Sequence, residues 1–195
     1  MTGIVIFPAS RQDAYDDYKR SLKQGHPLED VVPYLSNEKL EDLEATSEDG
    51  RAHLWGSSVA GKWQNVEPGD IGLVYRKGKL VSRGRVLLLS ENHELAEYLW
   101  KDGVDHDRWD AEKPWKYLTF LTDLEEIEVD IEEFNDLVGY DETYRPQGFT
   151  RVADNRLARL RDGYESVETA LAELTEAGEK VHHVDDTDDE QTADL

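Results

Sequence analysis

Tryptophan rings beside small residues are the part of this sequence that points most directly to chemistry. Trp55 is followed at once by the run Gly-Ser-Ser, and Trp115 stands where a polar loop meets a strand. A ring beside a turn or loop can line a pocket instead of filling a core. Extruded nucleobases are held by stacking on such rings and by hydrogen bonds to the base edge. The pattern predicts a base-binding pocket, and core packing is the alternative interpretation of each ring.

Trp100 has a different sequence context. It ends a segment in which Leu95, Leu99 and Trp100 recur at helical spacing on one face. An apolar stripe of this kind is typical of a helix that packs on a core. We therefore predict that Trp100 is a core residue.

Catalytic signatures are missing from the sequence. It contains no GxGxxG, GxxxxGK[ST] or GxSxG motif, and none of its six histidines stands in a recognisable nucleophile–base context. Pairs of carboxylates are so frequent among 44 acidic residues that no single pair is informative. We predict no catalytic residue and no cofactor.

Metal ligation is equally weakly indicated. The sequence has no cysteine, which excludes disulfides and thiolate zinc sites. The run Asp105-His106-Asp107 and the pair His182-His183 could each contribute ligands. Both lie in polar stretches of a very acidic chain, where such neighbours arise by chance, so we predict no metal site.

The net charge of −22 limits the kinds of partner that the chain can bind. Such a charge repels nucleic acid in ordinary buffers, but the Debye length falls to about 3 Å in molar salt. A charge this high is also one solution for solubility in concentrated salt. We hypothesise a salt-accumulating halophilic host, and thermal unfolding measured across a KCl series tests this. Equal stability in low and molar salt would contradict it.

The order of predicted elements is a β-rich centre with short helices at both ends. Ile4 to Phe7 reads as a buried strand, and Lys77-Gly78 is a hairpin signal between two longer strands. Segments 11–23, 93–100, 132–138 and 166–177 read as helices, with Asn92 as the cap of the second and Gly178 closing the last. Segments 115–121 and 127–130 read as strands. The pattern predicts one α+β domain around a small β-barrel or a strongly curved sheet.

The central run LWGSSVAGKWQNVEPGDIGLVYRKGKLVSRGRV resembles the heart of an EVE or YTH-like domain of the PUA-like superfamily. IVIFPAS, ELAEYLW, PWKYLTFL and QGFTRV are similar to segments of the variant found at the N-terminus of modification-dependent restriction systems. The similarity covers about residues 4 to 160. It implies a PUA-like fold that holds a modified, often methylated, base in a cage of aromatic rings.

The resemblance also implies roles for individual residues. Trp55 matches the tryptophan of the first cage strand, and Ser57 falls where family members hydrogen-bond the base. Trp115 matches a second cage wall, with Trp109 as its competitor. The remaining matches are Tyr75, the aromatic of the GD…Y strand, and Arg83, where a backbone or phosphate contact is expected.

Basic residues are densest around the central hairpin. This cluster adjoins the predicted pocket and is assigned to nucleic-acid backbone contacts, with a solvated hairpin face as the alternative. Its members, besides Arg83, are Lys62, Arg76, Lys77, Lys79 and Arg85.

Three functions compete at this point. The first is a reader of modified DNA or RNA, in restriction or defence, with any nuclease or NTPase on a separate chain. The second is a PUA-like hydrolase acting on a nucleoside, and the third is an adaptor that binds a protein through helix 166–177.

The predicted domain spans 4–162, followed by a helix and linker over 163–184 and a disordered acidic tail over 185–195. With neither a signal peptide nor a membrane segment in the sequence, we expect a cytoplasmic protein.

Overall fold

The computed structural model describes residues 2–47, 49–100 and 112–188, with backbone only for 178–188. Trp109 and the Asp105-His106-Asp107 run lie outside the described residues, as do the side chains of His182 and His183. The predictions made for these residues therefore stay predictions.

Seven strands form one mixed sheet. In sheet order they are β2-β3-β6-β5-β4-β1-β7, and all neighbouring pairs are antiparallel except the parallel pair β1 and β4. Their bounds are Ile4–Pro8 (β1), His26–Pro27 (β2), Arg51–Ser57 (β3), Ile71–Arg76 (β4), Lys79–Glu91 (β5), Tyr117–Asp130 (β6) and Thr150–Arg151 (β7).

The sheet is strongly curved. β1 and β3 lie four places apart in the sheet order, so in a flat sheet their backbones would be about 19 Å apart. Instead, the rings of Phe7 on β1 and Trp55 on β3 are in contact, with centroids 5.5 Å apart. The predicted α+β class is confirmed. The sheet is not closed into a barrel, since β2 and β7 are its edge strands in the described structure.

Eight α-helices surround the sheet in the described part of the chain. α1 continues directly into a π-helical segment, Tyr18–Gln24, and α2 into a 3₁₀ turn, Val32–Tyr34. The helices are Gln12–Asp17 (α1), Leu28–Val31 (α2), Asn37–Thr46 (α3), Ala60–Trp63 (α4), His93–Trp100 (α5), Ile131–Val138 (α6), Asp154–Gly163 (α7) and Val167–Asp188 (α8). Within these residues, no helix is long and apolar enough to cross a membrane.

Alternation along the strands divides the core between the two faces of the sheet. Val5 and Phe7 of β1 face the inside of the curve and pack with Leu22 of the π-helical segment. Ile4 and Ile6 face outward, under α6, α7 and α8. A third cluster lies under α5 on the outer face of β3, β5 and β6. These packed faces fix the ends of the strands, where functional side chains can be held rigidly.

Two local predictions are confirmed in detail. Lys77 and Gly78 both have positive φ, 43° and 91°, and join β4 to β5 as a tight hairpin. Asn92 caps α5, because its side-chain oxygen accepts a hydrogen bond from the amide of Leu95 at 2.9 Å.

Two other predictions are wrong. The strands predicted at 115–121 and 127–130 are one strand, β6, because Thr122 to Glu126 keep pairing with β5 around an irregularity at Asp123, where φ is 52°. Gly178 does not end the last helix. A glycine in a helix costs only about 1 kcal/mol, and the neighbouring Glu, Ala and Lys residues favour helix. α8 therefore runs through Asp188, into the range predicted as a tail, and 189–195 lie outside the described residues.

Candidate functional site

A cavity of about 250 Å³ opens where β3 ends. It lies between the last residues of β3, the helical run formed by α1 and the π-helical segment, the end of α5 and the residues that lead into β6. Arg11 and Gln147, both largely exposed, lie at its mouth. Aromatic rings supply one wall, and a polar helix face supplies the other.

The aromatic wall consists of Trp55, Trp100 and Trp115. Trp100 and Trp115 meet edge to face, with centroids 5.7 Å apart and planes at 84°. Gly56 lets them come this close to β3, because a Cβ at this position would lie 2.7 Å from Cη2 of Trp100. Trp100 is only 4 % exposed and packs with Leu95 and Leu99 as predicted, while its ring also borders the cavity.

The polar wall is one face of the helical run. Asp13, Asp17 and Ser21 follow each other at four-residue spacing, which brings them to the same side of a helix. Asp13 pairs with Arg11 at 2.9 Å, and Asp17 pairs with Arg20 at 3.0 Å. An ionised carboxylate only accepts hydrogen bonds. This wall therefore presents acceptors to the N–H groups of a ligand.

Ser21 is buried, and a second side chain holds its hydroxyl in place. The Oγ atom of Ser21 lies 3.0 Å from Nε2 of His26. Burial, followed by the positive charges of Arg20 and Arg51, lowers the pKa of His26 to about 4. A neutral imidazole with so low a pKa is a weak base near pH 7. The pair is better suited to orienting the Ser21 hydroxyl than to activating it.

The low pKa of His26 predicts how stability depends on pH. Unfolding raises this pKa to its ordinary value of 6.5. The contribution of neutral His26 to the free energy of unfolding is therefore complete above pH 6.5, and it is lost as the pH falls toward 4. Arg20, Arg51 and His53 lower the pKa, and Asp30 raises it. We expect the wild type to lose up to about 3 kcal/mol more than His26→Gln between pH 7 and pH 4.

Urea unfolding of both proteins at matched pH and KCl measures this difference. Comparison with the variant removes the titration of the many carboxylates, which both proteins share. Parallel stability curves for the two proteins would show that His26 is not held neutral by the fold.

Three of the predicted base-binding residues, Ser57, Tyr75 and Arg83, do not line the cavity. Ser57 is buried, and its Oγ accepts a hydrogen bond from the amide of Val59 at 3.1 Å. Tyr75 is 5 % exposed and packs on the outer face of the sheet, where its hydroxyl accepts a hydrogen bond from the amide of Gly78 at 3.2 Å. The structure brings Trp55 and Trp115 together and separates both from Tyr75.

Three of the predicted basic residues are engaged by carboxylates. Arg83 pairs with Glu125 of β6, and Lys79 pairs with Glu128, which raises the pKa of Lys79. Arg85 donates a hydrogen bond to the Gly69 carbonyl at 3.0 Å and lies 3.6 Å from Glu168 of α8. Arg83 and Arg85 line a separate cavity against α8 and do not border the tryptophan cavity.

The other basic residues lie nearer to the mouth of the tryptophan cavity or to the end of β3. The amide of Lys77 donates a hydrogen bond to Ser10 Oγ at 3.0 Å, which joins the hairpin turn to the segment that carries Arg11. The guanidinium of Arg76 lies over the Tyr15 ring at 3.0 Å. Lys62 is exposed on α4, directly after β3. In the described part of the chain, Lys62 and Lys77 have no carboxylate partner.

Size alone does not select the site. A cavity of about 610 Å³ lies between α3, β3 and β6, but its lining is aliphatic, polar and charged, with no tryptophan, tyrosine or phenylalanine. Within the described residues, no group of three or more histidine and acidic side chains could hold a metal ion. The tryptophan cavity is therefore the candidate site.

The curved mixed sheet, its surrounding helices and the cavity at the end of β3 define an α+β domain with a tryptophan-lined site. Among solved structures, the chain is similar to the N-terminal domain of Thermococcus gammatolerans McrB bound to m5C DNA. The TM-score is 0.63 and the identity 17%, over 83% of this chain and 96% of that chain. The sequence matches no protein-family model and no curated protein. At this identity, the likeness shows that the two chains share a fold.

Proposed function

We propose that this chain is a binding module that reads a modified base in DNA, extruded into the tryptophan cavity. The observation that carries the proposal is the pairing of two unlike walls around about 250 Å³. Drug-sized ligands need about 300–1,000 Å³, so this space suits one planar heterocycle. Trp55 and Trp115 would stack on the base, while Asp17 and Ser21 would accept hydrogen bonds from its N–H groups.

The fold supports the choice of polymer and of the first modification to test. The McrB domain of the same fold was solved with m5C DNA, which makes DNA the first candidate over RNA. The resemblance to EVE and YTH-like domains favours a methylated base as well. On this proposal, a role in restriction or defence would depend on a nuclease or NTPase carried by a separate chain.

Charge determines the conditions under which such binding can occur. The net charge of −22 opposes DNA at low salt, and screening removes this opposition at high salt. Arg11, Lys62 and Lys77 are the candidate phosphate contacts near the mouth of the cavity. We expect a shallow or non-monotonic dependence of affinity on salt, in contrast to the steep fall of a basic DNA-binding protein.

A binding screen in KCl from 0.1 to 3 M tests the proposal. Oligonucleotides of one sequence carry unmodified bases, 5-methylcytosine or N6-methyladenine, each as duplex DNA, single-stranded DNA and RNA. We expect one modified DNA to bind at least about tenfold more tightly than its unmodified match, a difference of 1.4 kcal/mol. Equal affinity for every modified and unmodified pair would contradict the proposal.

The nucleoside-directed hydrolase has one observation in its favour. Ser21 Oγ and His26 Nε2 lie 3.0 Å apart beside the same cavity, as a nucleophile and its base would. The lowered pKa of His26 weakens this candidate. Turnover of modified nucleosides by the wild type, abolished in Ser21→Ala, would establish it in place of the reader.

A further inference from the structure

A short loop with an apolar tip follows directly after the strand that forms the cavity. β3 contributes Trp55 and Gly56 to the cavity, and Val59 lies three residues beyond Gly56. Val59 is 54 % exposed, the highest value among the large hydrophobic residues of the described chain. Three residues of extended chain span at most about 11 Å, so Val59 lies within about 11 Å of Gly56 in the cavity wall.

A single exposed valine has no significance by itself. This one, however, is held in a defined position. Its amide donates a hydrogen bond to the buried Ser57 Oγ at 3.1 Å, and α4 begins directly after it. Trp63, at the end of α4, packs on the Tyr117 ring with centroids 5.2 Å apart. The loop is therefore anchored at both ends, so little conformational entropy is lost when its exposed tip binds a partner.

The residues around the tip leave room for a close approach. Ser58, Ala60 and Gly61 are small, and a Cβ placed on Gly61 would meet nothing within 4 Å. Lys62 follows as an exposed cation with no carboxylate partner among the described residues. An apolar tip, small flanking residues and a nearby cation are complementary to a base stack beside a phosphate.

A base that leaves a duplex also leaves a gap in the stack. Proteins that bend or open DNA often insert an apolar side chain between base steps. We propose that Val59 is such a wedge, which enters the duplex where the read base has been extruded, and that Lys62 contacts the adjacent phosphate. This inference rests on the proposed function and assigns the loop to duplex DNA.

Val59→Ser tests the wedge, with Val59→Leu as the matched apolar control. Anisotropy measurements in molar KCl use one 5-methylcytosine oligonucleotide in two forms, a fully paired duplex and a single strand. A wedge is needed only where a base must leave a stack. We expect Val59→Ser to bind the paired duplex about tenfold more weakly and the single strand within twofold of wild type, and Val59→Leu to match wild type on both.

The two substrates separate the two hypotheses. Unchanged duplex affinity of Val59→Ser, or an equal loss on duplex and single strand, would overturn the wedge and leave the reader intact. If the wild type binds 5-methylcytosine and unmodified cytosine equally well, both in the duplex and in the single strand, the claim that Val59 acts as a wedge for 5-methylcytosine is overturned. The wider screen over other modifications then decides the proposed function separately. A 2-aminopurine beside the modified base gives an independent readout, since its fluorescence should rise with wild type and not with Val59→Ser.

Discussion

Replacing Trp55 with alanine should weaken binding to the preferred modified oligonucleotide by about 10- to 100-fold. Stacking of a base on an aromatic ring is worth about 1–3 kcal/mol by alanine substitution. The Trp55 ring borders the cavity and is only partly buried, against Phe7. Most of the loss should therefore appear in binding, and titration of labelled oligonucleotide in molar KCl measures it.

A phenylalanine at the same position is the matched control. Trp55→Phe keeps a ring over the cavity and should retain most of the affinity, and Trp115→Ala should behave like Trp55→Ala. Near-ultraviolet circular dichroism establishes that each variant is folded before binding is compared. If Trp55→Ala is folded and binds as tightly as wild type, the aromatic wall does not hold the base.

Trp100→Ala should have the largest effect on stability, a loss of about 3–5 kcal/mol. Its ring is buried in the cluster beneath α5, and removal of a buried tryptophan leaves a cavity that its neighbours cannot fill. The ring of Trp100 also packs on the ring of Trp115. Binding should therefore fall only because less protein is folded and because the aromatic wall is lost with the fold. Denaturant unfolding followed by far-ultraviolet circular dichroism measures the loss.

Trp100→Phe tests how much of the stability depends on the volume of the Trp100 side chain and how much on hydrogen bonding by its indole. The indole Nε1 of Trp100 is buried and has no hydrogen-bond partner among the described residues, so phenylalanine removes volume without breaking a bond that the structure describes. We expect this variant to lose much less stability than Trp100→Ala. A loss below about 1 kcal/mol for Trp100→Ala would be inconsistent with a fully packed ring at this position.

The sequence could predict that Trp55 and Trp115 border a pocket because the signal for each is local, whereas Trp100 was predicted only as a core residue. Trp55 stands beside Gly56 at the end of a strand, and a ring next to a turn can be recognised from a few residues. The hairpin at Lys77-Gly78 and the cap at Asn92 are local in the same sense. Each depends on neighbours within four residues, so one sequence suffices.

The polar wall depends on long-range packing. Asp13, Asp17 and Ser21 have a visible four-residue spacing, which marks them as one helix face. What that face meets depends on how the helical run packs across the curved sheet onto β3. No residue near the helical run or near β3 in the sequence specifies this contact. The sequence therefore predicted the helix but gave it no function.

The faces of the sheet explain why Tyr75 lies away from Trp55. Both lie on strands, and alternation gives the relative facing of residues within one strand only. β3 and β4 are separated by β6 and β5, with several register shifts between them. The ion pair of Arg83 with Glu125 could not be predicted from the sequence for the same reason, because the partner lies on a neighbouring strand.

The parallel pairing of β1 with β4 has a consequence for folding during synthesis. β1 ends at Pro8, but its first partner begins at Ile71 and its other neighbour at Thr150. At 5–20 residues per second, the emerging β1 waits roughly 3–13 s for β4 and longer for β7. Such non-local pairing folds slowly and leaves strand edges open to association. In low salt, where it is not screened, the same negative charge that opposes DNA would also keep nascent chains apart during this interval.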